Sequence, residues 1–141
     1  MGVIAVTGAL LWWALPVRPR LRSVVQVDAV RAPVALLSAA FFTPYAIAQI
    51  GLQNAATGHH AQNPHFFDMA WMVVTLTVLA GLSALLPAVR SLMWWVAAGT
   101  VVLGVAGLAF GESTTWSLLA LGLGLLAAAA AALRTRPARR R

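Results

Sequence analysis

The chain has 141 residues, of which 61% are hydrophobic and 9% are charged, and its mean hydropathy is +0.84. A water-soluble domain carries about a quarter of its residues as charged side chains, so this composition excludes a soluble globular protein and predicts an integral membrane protein. The net charge of +7 comes from basic residues that are all arginines and that flank apolar stretches, a placement typical of membrane topology rather than of nucleic-acid binding.

Five apolar segments follow one another along the chain. Because an α-helix needs about 20 residues to cross roughly 30 Å of hydrocarbon, they predict an all-α, polytopic helix bundle with five transmembrane helices in a single domain over residues 1–141. The segments cover residues 2–17, 32–53, 68–89, 91–111 and 115–133. The first has only about 16 residues, so the bundle has four transmembrane helices if that segment does not span the bilayer. Residues 134–141 form a basic tail that we expect to be mobile and cytoplasmic.

The arginines predict the orientation of the bundle. They fall in residues 18–31, at Arg90 and in the tail, and one threading through the membrane places all of them on the same side. The positive-inside rule then predicts a cell-membrane protein with its N-terminus outside and its C-terminus in the cytoplasm. On the inner side, Asp28 is one turn from Arg31, which favours an ion pair. The absence of lysine, with abundant alanine, arginine and glycine, is typical of a GC-rich bacterial genome.

The tryptophans lie close to the predicted segment ends. Indole prefers the headgroup boundary, where its ring is in apolar surroundings and its N–H reaches a polar partner, so these residues predict an aromatic belt. They are Trp12, Trp13, Trp71, Trp94, Trp95 and Trp116.

The second segment carries a polar stripe at helical spacing. Its members share one face and are Ser38, Phe42, Tyr45, Gln49 and Gln53. An amide in hydrocarbon must be hydrogen-bonded, so this face either contacts other helices or lines a ligand cavity. Tyr45, Gln49 and Gln53 are therefore the candidate ligand-binding or cofactor-binding residues.

All three histidines and two of the three acidic residues fall on the predicted outer side. This group consists of His59, His60, His65, Asp68 and Glu112. Imidazoles with a carboxylate could hold a divalent metal such as zinc, and His65 with Met69 and Met72 could hold copper. His65 and Asp68 could instead act as an acid–base pair, or the imidazoles could donate to a lipid headgroup. The remaining alternative is a solvated loop in which Asp68 is a charge at a helix N-terminus.

The last two segments are rich in glycine, which permits close approach between transmembrane helices of one chain or of several chains. The glycines are Gly99, Gly104, Gly107, Gly111, Gly122 and Gly124, and Gly107 with Gly111 forms a GxxxG pair.

Two classes of function fit these features. The first is a non-catalytic subunit or binding protein of a membrane assembly, in contact with lipids and forming a homo-oligomer or a larger complex. The alternative is a small membrane enzyme or redox or metal-binding protein that acts on a lipid, quinone or other hydrophobic substrate at the outer leaflet. In that alternative the catalytic groups are His65 and Asp68, and the metal ligands come from His59, His60, His65, Asp68 and Glu112. Because cysteine is absent, thiolate-ligated metals and disulfides are excluded.

Overall fold

The computed structural model of the chain describes residues 25–111 and 113–133. Its elements are α1 (Arg31–Ala55), α2 (His59–Gln62), α3 (His65–Leu85), a 3-10 turn (Pro87–Val89), α4 (Leu92–Ala109) and α5 (Thr114–Ala132). The helices α1, α3, α4 and α5 are each long and apolar enough to cross a membrane. They confirm the predicted all-α membrane helix bundle. The first apolar segment, the basic tail and Glu112 lie outside the described residues.

The helix ends differ from the predicted ones for local reasons. α3 ends at Leu85 rather than at residue 89 because Leu86 precedes Pro87, and a residue before proline is disfavoured in the helical conformation. α4 ends at Ala109, and Gly111 follows with φ of 76°, the left-handed conformation that glycine adopts after a helix end. At the start of α5, the Ser113 hydroxyl accepts a hydrogen bond from the Trp116 N–H at 3.4 Å.

The four long helices pack as two antiparallel pairs. α1 packs closely along α3, and α4 packs closely along α5, whereas the contacts of α3 with α4 and of α1 with α5 are sparser. The buried core of the bundle includes Phe42, Val73, Met93 and Val96, which are fully buried. Because the pairs are joined by fewer contacts, the surface between α1 and α5 remains partly open.

The close packing of α4 on α5 depends on two glycines. A Cβ atom at Gly104 would lie 2.9 Å from the carbonyl oxygen of Ser117, and one at Gly124 would lie 3.0 Å from the backbone nitrogen of Val101. Real Cβ atoms essentially never come as close to a neighbour as the contact at Gly104, and the contact at Gly124 is tighter than almost all that occur, so a side chain at either position would force the two helices to shift. The predicted GxxxG pair is wrong, because Gly111 lies beyond the end of α4 and cannot share a helix face with Gly107.

The charged residues separate to the two ends of the bundle. Arg31 begins α1 and Arg90 joins α3 to α4, and we call this the arginine end. The histidines lie at the opposite end, in α2 and at the start of α3, and we call this the histidine end. Arginines and histidines thus occupy opposite ends of the described bundle, and which end faces the cytoplasm stays a prediction.

Candidate functional site

The histidine end brings the three imidazoles into one group. Gly58, with φ of 58°, turns the chain from α1 into the single turn of α2, which carries His59 and His60, and His65 is the first residue of α3. The ring centroids of His60 and His65 are 5.3 Å apart, and those of His59 and His60 are 6.1 Å apart. The Gln53 side-chain amide donates to the His60 carbonyl oxygen at 3.1 Å, which ties α2 to α1.

Asp68 does not join this imidazole group. Its side chain is exposed in the first turn of α3, and within residues 25–111 and 113–133 no hydrogen bond or ion pair links it to His65. In that same part of the chain, no three His, Asp or Glu side chains are grouped so that they could hold one metal ion. Met69 packs against the core whereas Met72 is exposed, so the two thioethers have different surroundings. The predicted metal ligand Glu112 lies outside the described residues.

The polar stripe of α1 faces the other helices. Ser38, Phe42, Gln49 and Gln53 are buried, and Tyr45 is partly buried. The Ser38 hydroxyl donates to the Val34 carbonyl oxygen at 2.8 Å, which satisfies it inside α1. The Gln53 Oε1 atom is buried and accepts no hydrogen bond from any described residue. The stripe is therefore an interhelical face whose last amide keeps one unused acceptor.

Tyr45 is part of an aromatic stack between α1 and α5. The Trp116 ring stacks on Tyr45 with centroids 4.5 Å apart and on Phe41 with centroids 5.6 Å apart. Trp116 therefore differs from the predicted lipid-facing belt, because its ring is turned into the bundle. Trp71, Trp94 and Trp95 are exposed on the bundle surface, as the belt requires. Trp12 and Trp13 lie outside the described residues.

An apolar groove runs along the surface between α1 and α5, below this stack. Its volume is about 440 Å³, and its lining includes Leu37 and Phe41 from α1 and Leu118, Gly122 and Leu126 from α5. A Cβ atom added at Gly122 would meet nothing within 4 Å, so the glycine leaves open space in the groove. Sequence reasoning missed this groove because α1 and α5 are distant in the chain. The one available signal was a glycine within a leucine-rich segment.

The arginine end contains a buried ionic cluster around Asp28. The Asp28 Oδ1 atom accepts from the backbone N–H groups of Val30 at 3.0 Å and Arg31 at 3.2 Å, and Oδ2 accepts from Arg31 Nη1 at 2.6 Å. This confirms the predicted ion pair of Asp28 with Arg31. Arg90 Nε also lies 3.4 Å from Oδ2, within ion-pair distance but without hydrogen-bond geometry. Arg31 Nη2 donates to the Leu133 carbonyl oxygen at 3.4 Å. The cluster therefore joins the start of α1, the turn before α4 and the end of α5.

This environment lowers the pKa of Asp28. Burial alone raises the pKa, but the hydrogen bonds from the backbone of Arg31 and Val30, together with the Arg31 guanidinium, outweigh burial and hold the pKa below its ordinary value. Asp28 is therefore ionised in the folded protein at neutral pH.

Comparison with protein-family models, with curated proteins and with solved structures finds no match to this chain. The imidazole group, the α1/α5 groove and the Asp28 cluster are accordingly the features from which a function can be argued.

Proposed function

We propose that this chain is a non-catalytic subunit of a membrane assembly and that a second copy of the chain packs into the α1/α5 groove. The observation that carries the proposal is the open space at Gly122, in the wall of an apolar groove on the lipid-facing surface. In a bilayer, helices associate through small residues that let their backbones approach closely.

Gly122 has no role in packing within the described bundle. Glycine destabilises a helix interior by about 1 kcal/mol relative to alanine. An added Cβ atom would meet nothing within 4 Å at the helical glycines Gly51, Gly81 and Gly122, and of these three only Gly122 lines the groove. Gly104 and Gly124 have a packing role in the contact between α4 and α5, whereas Gly122 meets nothing within 4 Å. A helix from outside the described chain would supply the missing contact.

A second copy of the chain suits this surface because the open space and the exposed leucines that fill it lie on the same helix, α5. Leu118 and Leu126 are exposed one turn on either side of Gly122. In two copies related by a two-fold axis along the membrane normal, a leucine of each α5 fills the space at Gly122 of the other. Such an interface is isologous, the commonest kind among homo-oligomers.

Cysteine cross-linking tests this interface directly, because the chain contains no native cysteine. In membranes, Leu126→Cys should form a covalent dimer with a short thiol-specific cross-linker, and Gly122→Trp in the same chain should suppress it. Val78→Cys, at an exposed position on α3, is the control for random collision. Gly51→Trp is the control for the tryptophan, since a Cβ atom at Gly51 also meets nothing within 4 Å. Equal cross-linking at residues 78 and 126, or a dimer unaffected by Gly122→Trp, would refute the proposal.

One observation favours the enzyme or metal-binding alternative as a second candidate. The rings of His60 and His65 are close enough for both imidazoles to approach one zinc or copper ion, with water completing its coordination. In that case His59 and Asp68 are auxiliary groups, and Tyr45, Gln49 and Gln53 lie next to the substrate. Elemental analysis of purified protein should then find about one equivalent of metal, which His60→Ala and His65→Ala each remove. Metal-free protein after exposure to zinc and copper would exclude this candidate.

The orientation is a proposal of the same kind, supported by the arginines at one end. Because guanidinium groups cross the membrane poorly, the arginine end and the C-terminus face the cytoplasm of a bacterial cell. A C-terminal fluorescent reporter should fluoresce and a C-terminal phosphatase should stay inactive. Active phosphatase would reverse the proposed orientation.

A further inference from the structure

Among the described residues, the Asp28 cluster contains two guanidinium groups and one carboxylate. Two guanidinium groups share one carboxylate, and Asp28 Oδ2 is already hydrogen-bonded to Arg31 at 2.6 Å. The Nε atoms of Arg31 and Arg90 have no hydrogen-bond acceptor among the described residues. The described side chains of Asp28, Arg31 and Arg90 together therefore have a formal charge of +1.

The excess charge reaches the surface through Arg90. The Arg90 side chain is 34% exposed, whereas those of Arg31 and Asp28 are 5% and 1% exposed. Within the described part of the chain, the terminal nitrogens of Arg90 donate no hydrogen bond. Arg90 can therefore offer two donors and a positive charge to an anion outside the bundle.

The first turn of α4 lies directly after Arg90 and places two indoles beside it. The Ser91 side chain forms no capping hydrogen bond, and no acidic residue lies in the first turn of this 18-residue helix. The N–H groups of Met93 and Trp94 donate to the carbonyl oxygens of Arg90 and Ser91 at 3.2 and 3.0 Å, so backbone bonds rather than a side-chain cap hold this helix start among the described residues. Trp94 and Trp95 are 52% and 69% exposed in the same turn. We call the surface formed by Arg90, Ser91, Trp94 and Trp95 the Arg90 corner.

We infer that the Arg90 corner binds the phosphate group of an anionic phospholipid. Charge complementarity selects the phosphate, and the two exposed indoles place the site at the headgroup boundary of the bilayer. The exposed face of α4 continues from Trp95 to Val102 and Val105, which gives the acyl chains an apolar surface to follow. This inference is independent of the groove and of any second copy.

The test compares phosphatidylglycerol with phosphatidylcholine, using the purified full-length protein and native mass spectrometry to count retained lipids. Wild type should retain phosphatidylglycerol preferentially, and Arg90→Gln should weaken that preference about fivefold, the usual effect of one arginine at an anionic membrane surface. Arg90→Lys should keep most of the preference. Trp71→Phe, at the histidine end, is the control for loss of an exposed indole and should change nothing.

Ser91→Asp keeps the test decisive if Arg90→Gln impairs folding. An aspartate at this position stabilises the start of a helix but repels a phosphate, so lipid preference should fall while thermal stability does not. The inference is overturned if wild type shows no preference for phosphatidylglycerol, or if the Ser91→Asp variant keeps the full preference. It is also overturned if about 10 mM inorganic phosphate, which would nearly saturate a site with a Kd of about 1 mM, displaces the lipid completely, because the site would then belong to a soluble anion.

Discussion

Asp28 is the residue on which the arginine end depends. Its carboxylate holds the start of α1 through two backbone N–H groups and holds Arg31 through an ion pair. Removing one partner of a buried ion pair typically destabilises a protein by about 3 kcal/mol, because the other charge stays buried without compensation. Asp28→Asn should lower the free energy of unfolding in detergent by about this amount at pH 7. Asp68→Asn, at an exposed carboxyl, should leave it nearly unchanged.

The same carboxyl makes stability depend on pH in a defined direction. The pKa of Asp28 is lower in the folded protein than its ordinary value of 3.8, so the folded state favours the ionised form. Its contribution to stability is complete above the unfolded-state pKa and is lost as the pH falls through the folded-state pKa. The midpoint of thermal unfolding of wild type should therefore fall as the pH drops below about 4. An equally steep acid dependence in Asp28→Asn would assign the effect to another group.

Thr100 carries a buried hydroxyl that has no hydrogen-bond partner among the described residues. Its side chain is fully buried in α4, and its Oγ1 atom has no hydrogen bond to any described residue. Thr100→Val removes the unsatisfied oxygen at nearly constant volume. The free energy of unfolding should therefore rise by roughly 1 kcal/mol, and the thermal midpoint should rise with it. Ser83→Ala is the matched control, because the Ser83 hydroxyl donates to the Arg90 carbonyl oxygen at 3.0 Å. That variant should be less stable than wild type, and a loss of stability in Thr100→Val would contradict the structure.

At this scale, the sequence predicts contacts between near neighbours and misses distant ones. The Asp28 pair with Arg31 follows from a spacing of three residues. The approach of Arg90 to the same carboxylate does not, because it depends on how the turn after α3 meets the start of α1. The inward position of Trp116 was also missed, since both a lipid-facing and a stacked indole fit the same place near a helix end.

At the scale of elements, the glycines of α4 and α5 differ in what they do. Gly104→Ala places a Cβ atom 2.9 Å from the Ser117 carbonyl oxygen, so the helices must separate, which should destabilise the bundle by about 1 to 3 kcal/mol. Gly81→Ala on α3 meets nothing within 4 Å and should stabilise the protein by up to about 1 kcal/mol through helix propensity. Unfolding by denaturant in detergent measures both changes. A neutral Gly104→Ala variant would contradict the close contact of α4 with α5.

Hydrophobic length predicted the four helices well, because crossing a bilayer demands a long apolar run whatever the helix packs against. It could not predict that α1 and α5 leave a groove between them, since interhelical spacing depends on which side chains interlock. The prediction that the polar stripe lies on one face of α1 was correct because that spacing is a property of a single helix. The prediction of a GxxxG pair at Gly107 and Gly111 was wrong because the glycine spacing does not reveal where α4 ends.

For the whole molecule, the sequence predicted which residues gather at the histidine end but not which of them make contact there. The three histidines do meet at one end, because α2 and the start of α3 are close in the chain. Asp68 belongs to the same short segment, yet among the described residues no hydrogen bond or ion pair joins it to an imidazole. Position in the sequence thus predicted which end of the bundle carries these residues, but it did not predict which of their side chains make contact.

The central claim is that the arginine end and the histidine end lie on opposite sides of a membrane. Single cysteines introduced at exposed loop positions, Thr57→Cys at the histidine end and Ser91→Cys at the arginine end, test it without background labelling. In intact cells, a membrane-impermeant maleimide should label residue 57 at once and residue 91 only after the membrane is permeabilised. Labelling of both cysteines from the same side would contradict the account.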